Sequence, residues 1–206
     1  MARLDLFPPL LEGEVAPDPV DQFAAWFHAA GEAGVRLPEA VVLATATADG
    51  APSARAVLLK GFDAAGFVFY TNYESRKGRE LGANPRAALL FYWDPLGRQV
   101  RIEGRAAKVA PEESDAYFAT RPLGSRLGAL ASPQSAVIQG RVELERRVAD
   151  LAAEYAGREP PRPSHWGGYR LAHETVEFWQ HRDDRLHDRL RYQRSGNRWL
   201  VERLAP

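Results

Sequence analysis

The spacing of apolar residues changes several times along the chain, and each change marks an element. Val20, Phe23, Ala24 and Phe27 recur at helical spacing behind Asp18-Pro19, an N-cap followed by proline at the first helical position; Gly31 and Gly34 close the segment. The period then shortens. Ala40–Ala48, rich in valine and threonine, ends at the hairpin signal Asp49-Gly50, and Ser53–Lys60 is the return strand. Gly66–Tyr70 predicts another strand, and Glu74–Leu81 a short helix stopped by Asn84-Pro85. Arg86–Trp93 and Gln99–Val109 predict a strand pair joined by Asp94-Pro95-Leu96-Gly97.

Two further helices interrupt the strands. Pro111–Thr120 opens with acids, which suit a helix N-terminus, and stops before Arg121-Pro122. Val142–Ala156 is amphipathic. Tyr169–Leu171, Thr175–Gln180, Leu186–Tyr192 and Trp199–Arg203 read as strands, with Ser195-Gly196-Asn197 as the last turn. Residues 1–17, with Pro8, Pro9 and Pro17 and no periodicity, read as an arm; residues 18–206 read as one domain. The pattern predicts an α+β fold, mainly β: an antiparallel barrel with helices at its rim.

Composition narrows the chemistry. The 206 residues contain no cysteine, which excludes disulfides, thiolate metal sites and a cysteine nucleophile. With 27 basic and 27 acidic residues the net charge is zero, against a protein held to nucleic acid by bulk attraction. No apolar stretch is long enough for a membrane span, and the N-terminus lacks a signal-peptide layout, so a soluble cytoplasmic protein is expected. Metal-binding His-Glu-x-x-His, Gly-x-Ser-x-Gly, Walker and dinucleotide glycine motifs are all absent.

In a neutral chain, an anion site needs a local concentration of cations, and four segments supply one. Arg55–Lys60 carries a cation at each end of an apolar strand. Ser75-Arg76-Lys77 places two in the first turn of a helix, where free N–H groups favour anions and cations oppose the dipole. Tyr117, Arg121 and Ser125 are spaced by four, with Pro122 and Gly124 expected to leave Arg121 and Ser125 on a turn past the helix end. Arg185, His187 and Arg189 would share one face of a strand. Each also has a plainer reading: solvated surface cations, or core aromatics in the case of Tyr117.

The same segments resemble the pyridoxine/pyridoxamine 5′-phosphate oxidase family, in the family's order from about Ala40 to the C-terminus. The likeness is carried by Arg55–Lys60, Phe69-Tyr70-Thr71-Asn72, Ser75-Arg76-Lys77, Arg98-Gln99-Val100, Tyr117-x-x-x-Arg121-Pro122, Gln134-Ser135, Trp166-Gly167-Gly168-Tyr169-Arg170, Glu177-Phe178-Trp179-Gln180 and Arg185-Leu186-His187-Asp188-Arg189. It implies an FMN-binding split barrel, a homodimer with flavin at the interface, and oxidation of pyridoxine or pyridoxamine 5′-phosphate to pyridoxal 5′-phosphate. Oxygen would reoxidise the flavin, giving hydrogen peroxide, with ammonia leaving from the amine. By position, Arg55, Val57, Leu58, Lys60, Tyr70, Thr71, Arg76, Lys77, Gln99, Gln134, Ser135, Trp179 and Arg189 would contact FMN. Lys60, Tyr117, Arg121 and Ser125 would hold the substrate phosphate, and Arg185 and His187, the catalytic candidates, would lie over its pyridine ring.

The chain departs from the family at three places. Met1–Pro17 offers only Arg3 and no tyrosine, where family arms carry basic and tyrosine residues that cover the site; Pro133 replaces a polar or basic residue, and His181 a small one. Two other functions stay open at this point. One is a related flavin oxidase for a different, phenazine-type aromatic substrate. The other is a non-catalytic module binding flavin or nucleic acid.

Overall fold

Alternation of inward and outward side chains draws most of the chain into one antiparallel sheet. The computed structural model describes residues 7–196 and 198–206, so Arg3 and Asn197 lie outside the described residues. The strands are β1 (Ala40–Ala46), β2 (Pro52–Asp63), β3 (Gly66–Asn72), β4 (Arg86–Trp93), β5 (Arg98–Lys108), β6 (Trp166–Gln180), β7 (Asp188–Ser195) and β8 (Arg198–Arg203). Their order is β3-β2-β1-β4-β5-β6-β7-β8. Because β3 also pairs with β6, from Phe67 opposite Leu171 to Asn72 opposite Trp166, the first six strands close into a barrel and β7 and β8 extend beyond it. Helices α1 (Pro19–Glu32), α2 (Arg76–Ala83), α3 (Pro111–Thr120), α4 (Leu123–Ala131) and α5 (Arg141–Glu154) are peripheral, the architecture the sequence predicts.

Leu43, Phe67, Phe69, Leu89, Phe91, Val100, Ile102, Leu171, Val176 and Phe178 fill the interior and are fully buried. Helix α1 completes it. Asp18 Oδ1 accepts the Val20 amide at 2.7 Å, fixing the helix start. Phe23 is thereby set against Phe62, Phe67 and Phe91 with ring centroids 4.9, 5.0 and 5.1 Å away, and Trp26 edge-on to Phe178 at 5.2 Å. Burying each such ring is worth about 2–3 kcal/mol. No helix among the described residues is long and apolar enough to cross a membrane.

Three expectations need correction. The stretch after Pro122 is a second helix rather than a turn: Pro122 has φ −52° and ψ 143°, which ends α3 and serves as the cap from which α4 starts. Leu127 and Ala131 bury one side of α4, which outweighs its two glycines. Tyr169–Leu171 and Thr175–Gln180 are parts of one strand, β6, whose irregular register against Glu103 and Gly104 hid its continuity. β7 begins at Asp188, not Leu186, because Asp184 and Arg185 take positive φ (56° and 61°) in a 3₁₀ turn. The strand face expected of Arg185, His187 and Arg189 therefore does not form. The arm is partly docked: Leu10 is buried in the core, and Leu10 N donates to Asp188 Oδ2 at 3.1 Å.

Barrel closure depends on the turn between β2 and β3. Gly66 has φ +138°, and a Cβ there would lie 2.1 Å from the Leu171 carbonyl oxygen on β6. Gly66→Ala is expected to cost roughly 3 kcal/mol or more, since strain and a backbone clash coincide. Urea unfolding checks this; a loss under 1 kcal/mol would contradict it.

Candidate active site

A cleft of about 330 Å³ opens beside the end of β3. β2 supplies Arg55, Val57, Leu58 and Lys60; β3 supplies Tyr70, Thr71 and Asn72; α2 supplies Lys77; Tyr117, Arg121, Gln134 and Trp166 complete it. Among the described residues, four cations thus line the cleft and no carboxylate does. A neighbouring recess of about 330 Å³ adds Ser125 and shares Asn72, Arg121, Gln134 and Trp166, so Arg121 stands between the two.

The cleft has one aromatic wall. Tyr70 stacks on Tyr117 at 3.9 Å between centroids and on Trp166 at 5.5 Å, and the Arg121 guanidinium lies 4.5 Å over the Trp166 ring. Burial, reinforced by Glu113, pushes the Tyr70 hydroxyl up to about 12, so it stays protonated. Arg121 Nη1 is buried without a hydrogen-bond acceptor. Such a donor is costly unless an anion or water meets it. Lys77 Nζ donates to Gln134 Oε1 at 2.9 Å and Thr71 Oγ1 at 3.1 Å, and burial, with Arg55 nearby, lowers its proton affinity. Ser135 has φ 72° and lines neither recess.

Glu80, which the sequence reading missed, organises the cationic side. It is 5% exposed and pairs with Arg55 Nη2 at 3.2 Å and Arg76 Nε at 2.9 Å. Thr45 and Ser53 hydroxyls donate to it at 2.5 and 2.6 Å. Arg76 therefore turns away from the cleft, with its side chain 60% exposed, while Arg55 is held within it. The only sequence signal was an acid four residues after Arg76; its partners on β1 and β2 are visible only in the fold.

Gln99, Trp179, Arg185, His187 and Arg189 form a second cluster outside this cleft. Trp179 is the cross-strand partner of both Gln99 and Arg189. Its ring lies 4.6 Å from His187. Arg189 Nε pairs with Glu177 Oε1 at 2.8 Å, and that carboxylate also takes Arg101 Nη2 at 2.6 Å. His187 Nδ1 accepts the Arg182 amide at 3.2 Å, and burial, helped by His181 and Arg185, disfavours its protonation. An Nδ1 that accepts this amide leaves the ring proton of the uncharged imidazole on Nε2. Trp166 and Trp179 stand at opposite ends of β6. At about 3.3 Å per residue that is roughly 43 Å of strand contour, and neither recess is lined by any residue of the second cluster. Among the described residues there is no cluster of side chains able to hold a metal ion.

A closed barrel bearing an acid-free cationic cleft with an aromatic wall defines a split-barrel protein suited to anionic, ring-bearing ligands. Residues 27–154 match the family model described as pyridoxamine 5′-phosphate oxidase, and residues 166–206 match that of the pyridoxine 5′-phosphate oxidase C-terminal dimerisation region. The chain belongs to the pyridoxamine 5′-phosphate oxidase family and is an oxidoreductase. A pyridoxine/pyridoxamine 5′-phosphate oxidase of Rubrobacter xylanophilus is 61% identical over 197 residues, covering 96% of this chain and 91% of that protein. One from Bordetella petrii is 60% identical, covering 96% and 93%. PhzG from Burkholderia lata 383, solved with tetrahydrophenazine-1-carboxylic acid, superposes with a TM-score of 0.91 at 37% identity, over 97% of this chain and 99% of that one.

Burial raises the proton affinity of Glu80, but Ser53, Thr45, Arg76 and Arg55 lower it more, to about 2. The stabilisation is present above the ordinary value of 4.5 and is lost as pH falls toward about 2. Wild type should lose about 3 kcal/mol more than Glu80→Gln over that window. Urea unfolding at several pH values checks this; parallel curves would contradict it.

Proposed function

We propose that the protein oxidises pyridoxamine or pyridoxine 5′-phosphate to pyridoxal 5′-phosphate with FMN as cofactor, serving vitamin B6 salvage. Overall, the substrate carbon gives up two electrons and O2 leaves as H2O2; with the amine, water supplies the aldehyde oxygen and ammonia departs. The observation that carries this reading is Arg121: a guanidinium stacked on Trp166, with one buried N–H unpartnered, in a cleft of four cations and no acid. FMN and substrate each bring a phosphate of about −1.5 to −2, which answers that charge.

The residues fit the cofactor. Arg55, Lys77, Thr71 and Gln134 offer donors of the kind a phosphate and a flavin ring need, with Val57, Leu58 and Tyr70 as apolar and aromatic surface. FMN, when bound, supplies the hydride acceptor that no side chain provides. Lys60, Tyr117, Arg121 and Ser125 then hold the substrate phosphate. Arg185 and His187 orient the pyridine ring, His187 as a neutral donor through Nε2.

In this reading the two clusters meet only across a homodimer. The match of residues 166–206 to a dimerisation region supports this, as does their separation along β6. So does an apolar outer face of β2, β1 and β4, where Val42, Leu58 and Tyr92 are exposed and Leu58 also borders the cleft. A second reading, an oxidase for phenazine-type acids, draws on the likeness to PhzG.

Arg121→Ala separates the two. Losing a charge-assisted hydrogen bond worth roughly 1.5–3 kcal/mol should raise KM for pyridoxamine 5′-phosphate about 10- to 100-fold, with FMN still bound. The FMN-loaded wild type should bleach on anaerobic addition of pyridoxine 5′-phosphate. No bleaching, or an unchanged KM in the variant, would contradict the B6-phosphate reading.

A further inference from the structure

The bridge that carries Arg185 and His187, residues 182–187, holds Asp184 and Arg185 in left-handed backbone, which non-glycine residues adopt only when their surroundings impose it. Three sets of contacts do so. Behind the bridge, Gln180 Nε2 donates to the Leu96 and Gly97 carbonyls at 2.9 and 3.1 Å, and His181 N donates to Gly97 O at 2.8 Å. Ahead of it, the Asp188 carboxylate takes Arg203 Nη1 at 2.6 Å and the Leu10 amide at 3.1 Å. Across it lies the arm: Arg182 Nη1 donates to Phe7 O at 2.7 Å, and Arg203 binds both Leu10 O and the Glu12 carboxylate.

Phe7 extends this brace to the imidazole. Its ring meets His181 edge-on at 5.8 Å; His181 lies 5.1 Å from His187, and Trp179 packs against both, 4.6 Å from His187 and 6.0 Å from His181. The packing is close, since a Cβ on Gly97 would come within 2.5 Å of the Phe7 ring and 2.9 Å of His181 Cβ. Arg182 is fixed by Phe7 O through its side chain and, through its amide, holds His187 Nδ1.

We infer that the arm segment Phe7–Glu12 is a positioning element of the active site, a brace that sets the orientation and tautomer of His187 through His181 and Arg182. Phe7 is its key positioning residue. It acts through the bridge on its own chain and touches neither substrate nor cofactor. The catalytic consequence rests on the proposed role of Arg185 and His187 at the substrate ring, whereas the brace itself does not.

The test uses the full-length, FMN-loaded protein. In Phe7→Ala, kcat/KM for pyridoxamine 5′-phosphate should fall roughly tenfold, because small errors of placement cost much in rate. FMN affinity should stay within about twofold and Tm close to wild type, because the Phe7 ring packs on His181 and Gly97 and on none of the residues assigned to FMN. The ¹⁵N signal of His187 Nδ1, assigned by its loss in His187→Gln, should move from an unprotonated ring nitrogen toward a mixture of tautomers. Phe7→Tyr should restore both readouts. An unchanged Nδ1 signal in Phe7→Ala overturns the brace, as does a fall in activity matched by equal losses of Tm and FMN affinity. If wild type fails to turn over the substrate, the functional reading fails while the imidazole signal still decides the brace.

Discussion

Cations gathered around one recess repel each other, and Glu80 is the residue that lets this fold keep them there. Unit charges about 5 Å apart at an effective dielectric near 20 repel by on the order of 3 kcal/mol. The Glu80 carboxylate offsets part of this for Arg55 and Arg76, and it draws its other bonds from Thr45 and Ser53. One buried side chain thereby ties β1, β2 and α2 into the wall of the cleft. Lys60, Lys77 and Arg121 have no carboxylate partner among the described residues, and an anionic ligand is what their arrangement lacks.

The second constraint is the length of β6. A fifteen-residue strand can serve a barrel only by bending, and the register shift opposite Gly104 lets it do so. A Cβ at Gly104 would meet the Ala172 carbonyl oxygen at 2.0 Å, so the residue's identity follows from the bend. At one end β6 presents Trp166 to the cleft; at the other it presents Trp179 beside His187. The proposed homodimer would let one site draw on both ends, and residues 166–206, which include β6, match a dimerisation region.

Much of this was legible from spacing alone. Arg86–Trp93 and Pro111–Thr120 begin and end where alternation, proline and acids place them, because burial of one face and the helix caps act locally. The misses share a cause. Helix α4 exists because tertiary packing of Leu127 and Ala131 overrides two glycines, and the left-handed turn at Asp184 and Arg185 is imposed by contacts from residues 7–12, 94–97 and 203. Glu80 could not be read as a keystone, since its hydroxyl partners lie 27 and 35 residues away. Arg55, Lys60, Lys77, Tyr117 and Arg121 stand out as local concentrations of cations and aromatic surface, as do Arg185, His187 and Arg189, although the strand geometry expected of that last set is wrong; Val57, Leu58, Tyr70, Thr71, Gln99, Gln134 and Trp179 follow only from the family resemblance.

The composite site is tested most directly by mixing subunits. Arg121→Ala damages only the cleft contribution, and an Arg185→Ala/His187→Ala variant damages only the other. In a mixed dimer one site is intact and the other carries both lesions. Equal amounts unfolded and refolded together with FMN, assayed at low substrate, should recover about a quarter of wild-type activity, since half the dimers are mixed and each has one good site. Activity no greater than the average of the two variants refolded separately would contradict a site shared between copies.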